Sequence, residues 1–336
     1  MSVAMAGHMG LKQETSFGTE ATVDVFGEIS NLDLSSDNAL HIPRLIGGIR
    51  GNKRILPASL TASGSFNYLL FPEDLTGWIF KGIFGQVTTT DLGGGAYQHV
   101  FTPIDSGSLP SFTIQKDSEA GVFNYLGCVF DGFTMGITPD EIMEMSVNLQ
   151  AQTVKEGAIQ TPSYTTLDPF LPFHASVTLN SVANTSFENL EINITNALEP
   201  VMTLNNQRYV GKIVAHQFDC SGTFSLEFDD MDIMRLIWGH AAATAPRDYV
   251  NVVDLTYNIV MSDAYDATYG KIGSSSYNYR CQFDFHEIVL RGGEPNLTGA
   301  DDRIMQDVDF VTKYSTTNSA MMTVTLVNGQ SGYPDP

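Results

Sequence analysis

Along most of this chain apolar and polar residues alternate one by one, the period of a strand with one buried and one wet face. Leu190, Ile192 and Ile194 alternate with Glu191, Asn193 and Thr195, and Leu32 and Leu34 with Asp33 and Ser35. Phe66, Tyr68 and Leu70 share a face, as do Phe224, Leu226 and Phe228. The runs Met143, Met145, Val147, Leu149, then Leu255, Tyr257, Ile259, Met261, then Cys281, Phe283, Phe285, and finally Met322, Val324, Leu326 predict further strands. Clusters of Gly, Asn, Asp and Ser separate them as turns. The pattern changes to helical spacing in two places. After Pro72-Glu73-Asp74, apolar residues fall at Leu75, Trp78, Ile79 and Ile83, and Gly85 follows; after Asp229-Asp230 they fall at Ile233, Leu236 and Ile237, and Gly239 follows. Both read as short helices with acidic starts and glycine stops.

These elements occur twice in the same order. Sliding the sequence by 158 places sets Asn31-Leu32 on Asn189-Leu190, Asn38-Ala39-Leu40 on Asn196-Ala197-Leu198, Arg50 on Arg208, and Ser63-Gly64-x-Phe66 on Ser221-Gly222-x-Phe224. No gap is needed between Asn31 and Phe66, so the chain reads as two copies of one domain-sized unit. The expected fold is mainly β with one short helix per repeat, each repeat a β-sandwich or partial barrel with the helix on its sheet. The expected division is an arm at 1–24, a first domain at 25–152, a linker rich in Thr and Pro at 153–174, and a second domain at 175–336. The arm, rich in Gly, Ala, Ser and Thr, is expected to order only against a neighbour or not at all.

Two long connections stand out because both copies keep them. The segment from His41 to Pro57 aligns with that from Glu199 to Ala215, and each lies between two strands and carries positive charge that is scarce elsewhere. Arg50, Lys53, Arg54, Arg208 and Lys212 in these loops are candidate contact residues.

Charge sharpens the picture. The 336 residues hold 38 Asp and Glu against 17 Lys and Arg, a net −21, and only 16% are charged. Such a chain is a poor non-specific binder of nucleic acid, because Lys and Arg neutralising phosphates supply most of that affinity. Cys128, Cys220 and Cys281 are odd in number, widely spaced and flanked by strand-like residues, which reads as buried core thiols of a protein made in a reducing compartment. The first residues lack a basic leader and a long apolar run, and no stretch approaches the ~20 apolar residues of a membrane-spanning helix. The seven histidines show no metal-ligand spacing, Gly93-Gly94-Gly95 lacks the lysine of a phosphate loop, and Asp229-Asp230-Met231-Asp232 lacks the glycine and glutamate of a calcium loop. No catalytic, metal or cofactor residue is nominated.

The arm Gly10-Leu11-Lys12-Gln13-Glu14-Thr15-Ser16-Phe17-Gly18-Thr19 and the strand–helix unit from Ser63-Gly64-Ser65-Phe66 to Gly85 resemble a known family. So do His99-Val100-Phe101-Thr102-Pro103, Leu109-Pro110-Ser111-Phe112-Thr113-Ile114, Tyr125-Leu126-Gly127-Cys128-Val129-Phe130 leading to Met145-Ser146-Val147-Asn148-Leu149, and the second copy from Asn189 to Gly239. The family is the tail tube proteins (major tail proteins) of long-tailed bacteriophages. The resemblance implies tandem tail-tube domains, six domains to a ring, inner strands joined into one barrel, and rings stacked into a tube that conducts DNA. A duplicated chain would then close a pseudo-sixfold ring as a homotrimer, without enzyme activity or cofactor. It would be made in the host cytoplasm and reside in the virion tail. Its partners would be copies of itself and tail proteins such as the tape measure, terminator and distal tail proteins, while DNA would pass without specific binding. In that setting Asp33, Asp37 and Glu191, opposite the apolar faces of their strands, are the expected lumen-facing carboxylates, and the two long loops are the expected ring-stacking contacts. Two other readings differ in kind: another ring-forming tail component such as a completion or terminator protein, and a tandem β-sandwich that binds a surface. Trp78 and Trp238 at matching helix positions favour core packing over a binding platform.

Overall fold

The structure is a computed structural model and describes residues 7–46, 50–204, 206–263, 265–295 and 303–336. Gly47, Gly48, Ile49 and Asn205 of the two long loops, and the first six residues of the arm, lie outside the described residues. The chain is mainly β. The first half contains β1 (His8–Gln13), β2 (Val25–Gly27), β3 (Ile29–His41), β4 (Leu56–Leu69), α1 (Thr76–Phe84), β5 (Gly85–Gly93), β6 (Ala96–Pro103), β7 (Phe112–Asp117), β8 (Val122–Ile137), β9 (Glu144–Ala151) and β10 (Thr153–Glu156). The second contains β11 (Ala175–Leu179), β12 (Val182–Asn184), β13 (Phe187–Thr195), β14 (Glu199–Val201), β15 (Lys212–Val214), β16 (Asp219–Glu227), α2 (Asp232–Ile237), β17 (Val253–Val260), β18 (Arg280–Gly292), β19 (Met305–Thr312) and β20 (Met322–Asn328).

Pairing repeats with the order. β3 with β4, β4 with β9 and β9 with β8 in the first half are matched by β13 with β16, β16 with β19 and β19 with β18 in the second. Even the register carries over: Leu32 faces Phe66 as Leu190 faces Phe224. Among the described residues the β5–β6 hairpin has no strand counterpart in the second half, and the short β14–β15 hairpin none in the first.

The two sets fuse through a ladder in which β8 pairs antiparallel with β13, from Leu190 opposite Ile137 to Thr195 opposite Gly132. The result is a continuous antiparallel sheet in the order β3-β4-β9-β8-β13-β16-β19-β18. On its apolar face Phe133, Met135, Leu190, Ile192 and Ile194 are buried across the seam. Full burial of each such side chain contributes ~1.5–3 kcal/mol. A second layer is built from β2-β1-β7-β8-β10 in the first half and from β12-β11-β17-β18-β20 in the second, the latter extended by β6-β5 of the first half. The long β8 and β18 serve both layers. Gly127, at φ 61, gives β8 the left-handed turn that carries it from one to the other, and a Cβ there would lie 2.8 Å from that of Gln152.

α1 fills the space under the seam. Every residue from Thr76 to Phe84 is buried, and Phe80 meets Phe101, Phe133 and Phe283 at centroid distances of 5.6, 6.1 and 5.9 Å. A helix apolar all round must be covered all round, and the second half supplies part of that cover. Gly85 ends the helix at φ 80, its N–H donating to the Lys81 carbonyl. The acids expected at the helix start do other work: Asp74 sits at φ 59 before the first turn and accepts from the Thr165 N–H, and Glu73 accepts from Tyr279 Oη and the Gly329 N–H. Buried Lys81 donates to the Tyr333 carbonyl and to Asp335, both at 2.8 Å, so the end of the second half is tied to the helix of the first. That lysine holds the Asp335 carboxyl below the usual carboxylate range. Tyr333 stands edge-on to Trp78 at 5.3 Å.

The arm and the linker both differ from expectation. β1 orders within the chain against β7, with Met9 and Leu11 fully buried. The signal missed is Glu14, a buried carboxylate that accepts from the N–H groups of Gly18 and Gly127 and from the hydroxyls of Ser111 and Thr113. Four donors converge on one charge, so the arm is held by charge-assisted bonds that its composition does not reveal. The segment 153–174 begins with β10, which pairs with β8, and later returns to the first half, where Phe170 is buried and its N–H donates to the Leu70 carbonyl.

His99 sits in the second contact between halves, where β6 pairs with β20 and His99 lies opposite Leu326. Its Nδ1 is 2.9 Å from Thr89 Oγ1, and its Nε2 is 2.9 Å from the Gln330 carbonyl and 3.1 Å from Asn328 Oδ1. Burial pushes its pKa below the ordinary value, so the folded state favours the neutral ring. A group with this shift stabilises fully above its unfolded pKa of ~6.5, and stability falls as pH drops below that value. Denaturant melts between pH 7.5 and 5 should therefore give a stability that declines with acid, with a shallower decline in His99→Gln. Burial lowers His174 and His286 in the same direction, so some decline should remain.

Candidate assembly surfaces

The eight-stranded sheet has one apolar and one polar face, because the alternation of its strands, broken by bulges such as those at Asp131 and Glu188, is kept in register across the seam. Asp33 lies opposite Ser65, Ser65 opposite Asn148, Asn148 opposite Gly132 and Gly132 opposite Thr195. Beyond the seam, Glu191 faces Thr223, Thr223 faces Asp309 and Asp309 faces Arg291. The polar face is thus a field of Ser, Thr and Asn set with carboxylates. Asp33, Asp37 and Glu191, named from alternation alone, are all exposed on it. Glu144, Asp307 and Asp309 join them, and Arg291 is the one basic residue on that face among the described positions. The alternation of Asp307 and Asp309 with Gln306, Val308 and Phe310 carried the same signal. Glu144 accepts from Asn67 Nδ2 at 3.0 Å and from Ser30 Oγ, and Asp307 from Ser225 Oγ.

Both long loops leave the same end of this sheet, after Asp37 in β3 and after Thr195 in β13. Arg50, Lys53, Arg54 and Lys212 are exposed there, and none of them is in an ion pair among the described residues. Arg208 is placed differently. Its guanidinium donates to Asn38 Oδ1, its carbonyl accepts from the Leu60 N–H at 2.7 Å, and Tyr209 bridges to Leu60. The second loop therefore leans on the base of the first within one chain. Apolar side chains missed in the sequence reading crown the same end: Ile46 and Leu204 are fully exposed, and Leu40, Leu45 and Ile55 are more than half exposed.

The opposite end of the sheet has the complementary character. A cleft of about 340 Å³ opens there, lined by Ile137, Pro139, Phe173, Val177 and Tyr257, with Glu188 at its edge. Exposed Asp140, Glu141, Asp229 and Asp230 lie at that end, in the turns after β8 and β16. Among the described residues no cluster of His, Cys, Asp or Glu is arranged to hold a metal ion. Cys128, Cys220 and Cys281 are buried, and burial pushes each thiol up. No helix is long and apolar enough to cross a membrane among the described residues.

The duplicated sheet thus has an acidic face, edge strands β3 and β18 that are open on one side among the described residues, and two ends of opposite character. A family model described as phage tail tube protein matches residues 6–311. The chain belongs to the phage tail tube protein family. Membership makes it a structural component of the virion tail, and the family's tube is built by self-association alongside other tail proteins. No curated protein matches the chain.

Proposed function

We propose that three chains close into a pseudo-sixfold ring, that the eight-stranded sheets join as its inner wall, and that rings stack into the conduit for DNA. Two tube-like domains per chain, roughly 25–152 and 175–336, would supply the six positions. The observation that carries this reading is the ladder between β8 and β13: one chain already joins two copies of the unit edge to edge, in a register that sets Asp33, Asp37, Glu144, Glu191, Asp307 and Asp309 on one face. Rotational head-to-tail repetition of such a join closes a ring and leaves no exposed strand edge. Asp33, Asp37 and Glu191 then face the lumen with Glu144, Asp307 and Asp309. A negative wall repels the phosphate backbone, so DNA slides without being held. The loops with Arg50, Lys53, Arg54, Arg208 and Lys212 are the stacking contacts. Their basic and apolar tips suit the acidic, apolar-lined end of the next ring, with Arg208 bracing the loop pair from within. The tape measure, terminator and distal tail proteins are the further partners this role requires.

Negative-stain electron microscopy of the purified chain over a concentration series tests the reading, with rings and hollow tubes as the expected particles. Replacing Ile46 by Asp together with Arg50 by Glu should leave folded rings that do not elongate; tubes of normal length would refute the stacking assignment. Tubes carrying Asp33→Lys, Glu191→Lys and Asp307→Lys should retain double-stranded DNA in a steeply salt-dependent manner. Retention no greater than that of wild-type tubes would remove these residues from the lumen.

A further inference from the structure

Each chain contains one finished junction and the two unfinished sides of another. Within the chain, the end of β8 lies along β13. β3, the counterpart of β13, pairs with β4 alone among the described strands, and the end of β18, the counterpart of β8, pairs with β19 alone. The helices tell the same story. α1 is buried throughout because the second half covers it, whereas α2 buries Ile233 and Met234 and leaves Leu236, Ile237 and Trp238 partly open.

The repeated Asn-Ala-Leu fixes what belongs at the open side. Asn196, just past β13, is buried, and its amide donates to the Ile83 carbonyl at the end of α1, at 3.1 Å. Its counterpart Asn38 is exposed, its Oδ1 accepting from Arg208 and its amide oriented by that bond. The counterpart of Ile83 is Ile237, each two residues before the glycine that follows its helix, so Trp78 early in α1 and Trp238 just past α2 do not occupy the matching positions that the sequence suggested. Strand register supplies a second constraint. Leu290 faces Phe310 and Arg291 faces Asp309, as Phe130 faces Leu149 and Gly132 faces Asn148. Arg291 is therefore the counterpart of Gly132. Thr195, which faces Gly132, has Asp37 as its own counterpart.

We infer that β3 of a second copy of this chain docks antiparallel along the end of β18, with Asp37 opposite Arg291 and the Asn38 amide at the Ile237 carbonyl. This rests on the ring proposed above and gives its chain-to-chain contact a register and a selective pair. Arg291 then lies between Asp309 of its own chain and Asp37 of the next, and Leu236, Ile237 and Trp238 are covered as the matching face of α1 is. The inner junction does not offer this pair. There the bulge residue Asp131, which has no counterpart in β18, accepts from the N–H of Leu198 and the hydroxyl of Thr195, and an aspartate in place of Thr195 would meet a carboxylate. The ionic pair therefore distinguishes the outer junction from the inner one and keeps β3 of a neighbour from displacing β13. Gly292, at φ 73, ends β18, and Gly293, at φ 84, follows it; these are the residues most free to straighten when a partner strand arrives on the edge away from β19.

Sedimentation velocity and negative-stain microscopy of the full-length chain test this with Asp37→Arg, Arg291→Asp and the double variant. Both side chains are exposed, so melting temperature and circular dichroism should match wild type in all three. Each single reversal should raise the protein concentration needed for rings by about tenfold or more, as expected for like charges brought together at an interface, and the double variant should restore it. Wild-type rings accompanied by single variants that assemble equally well, or by a double variant no better than the singles, would overturn this register and leave the ring intact. A wild-type chain that forms no ring at any concentration would overturn the ring and the register together.

Discussion

The ladder between β8 and β13 is the constraint on which the rest of this structure depends. It makes one sheet of two, puts most polar side chains of its strands on one face, and leaves the other face as a largely apolar floor in which Gln306 is buried. That floor has to be covered, and α1 covers it at the seam, which is why this helix is apolar on every side. Its one charged residue, Lys81, is then neutralised by the end of the chain rather than by water. The contacts of Lys81 with Tyr333 and Asp335 and the pairing of β6 with β20 join the same two halves beside the ladder.

The same ladder sets the electrostatics. Register across the seam is even, with no slip between Leu190 and Thr195, so carboxylates from strands far apart in sequence share one face. A slip of one residue would scatter them between the polar face and the core, and burying unpaired carboxylates costs several kcal/mol each. The acidic face and the apolar core are thus two readings of one alignment.

Much of this was legible in the sequence for a physical reason: period-two alternation is set by the backbone itself, so it survives without knowledge of the partner strand. Asp33 and Glu191 could be assigned to the wet face from Leu32, Leu34, Ile192 and Ile194 alone. The duplication was legible because equivalent turns and strand cores demand the same residue types. What could not be read were features created by long-range partners. Glu14 looks like one more acid in a polar arm until Ser111, Thr113 and Gly127 arrive from strands a hundred residues away. Asp74 looks like a helix cap until Thr165 claims it. Arg208 looks free until Asn38 and Leu60 come beside it. The exposure of Ile46 and Leu204 could not be read either, because an apolar residue in a loop signals burial as readily as a contact surface.

The central claim is that the junction inside the chain is the template for the junctions between chains, so three chains and not six complete a ring. Cryo-electron microscopy of end-on rings, resolved far enough to trace individual chains, tests it most directly. The account predicts threefold symmetry with six lobes of two alternating kinds, and a barrel wall in which every β18 meets the β3 of a neighbour. Rings of six chains, or a wall in which β8 and β13 of the same chain are separated, would contradict it.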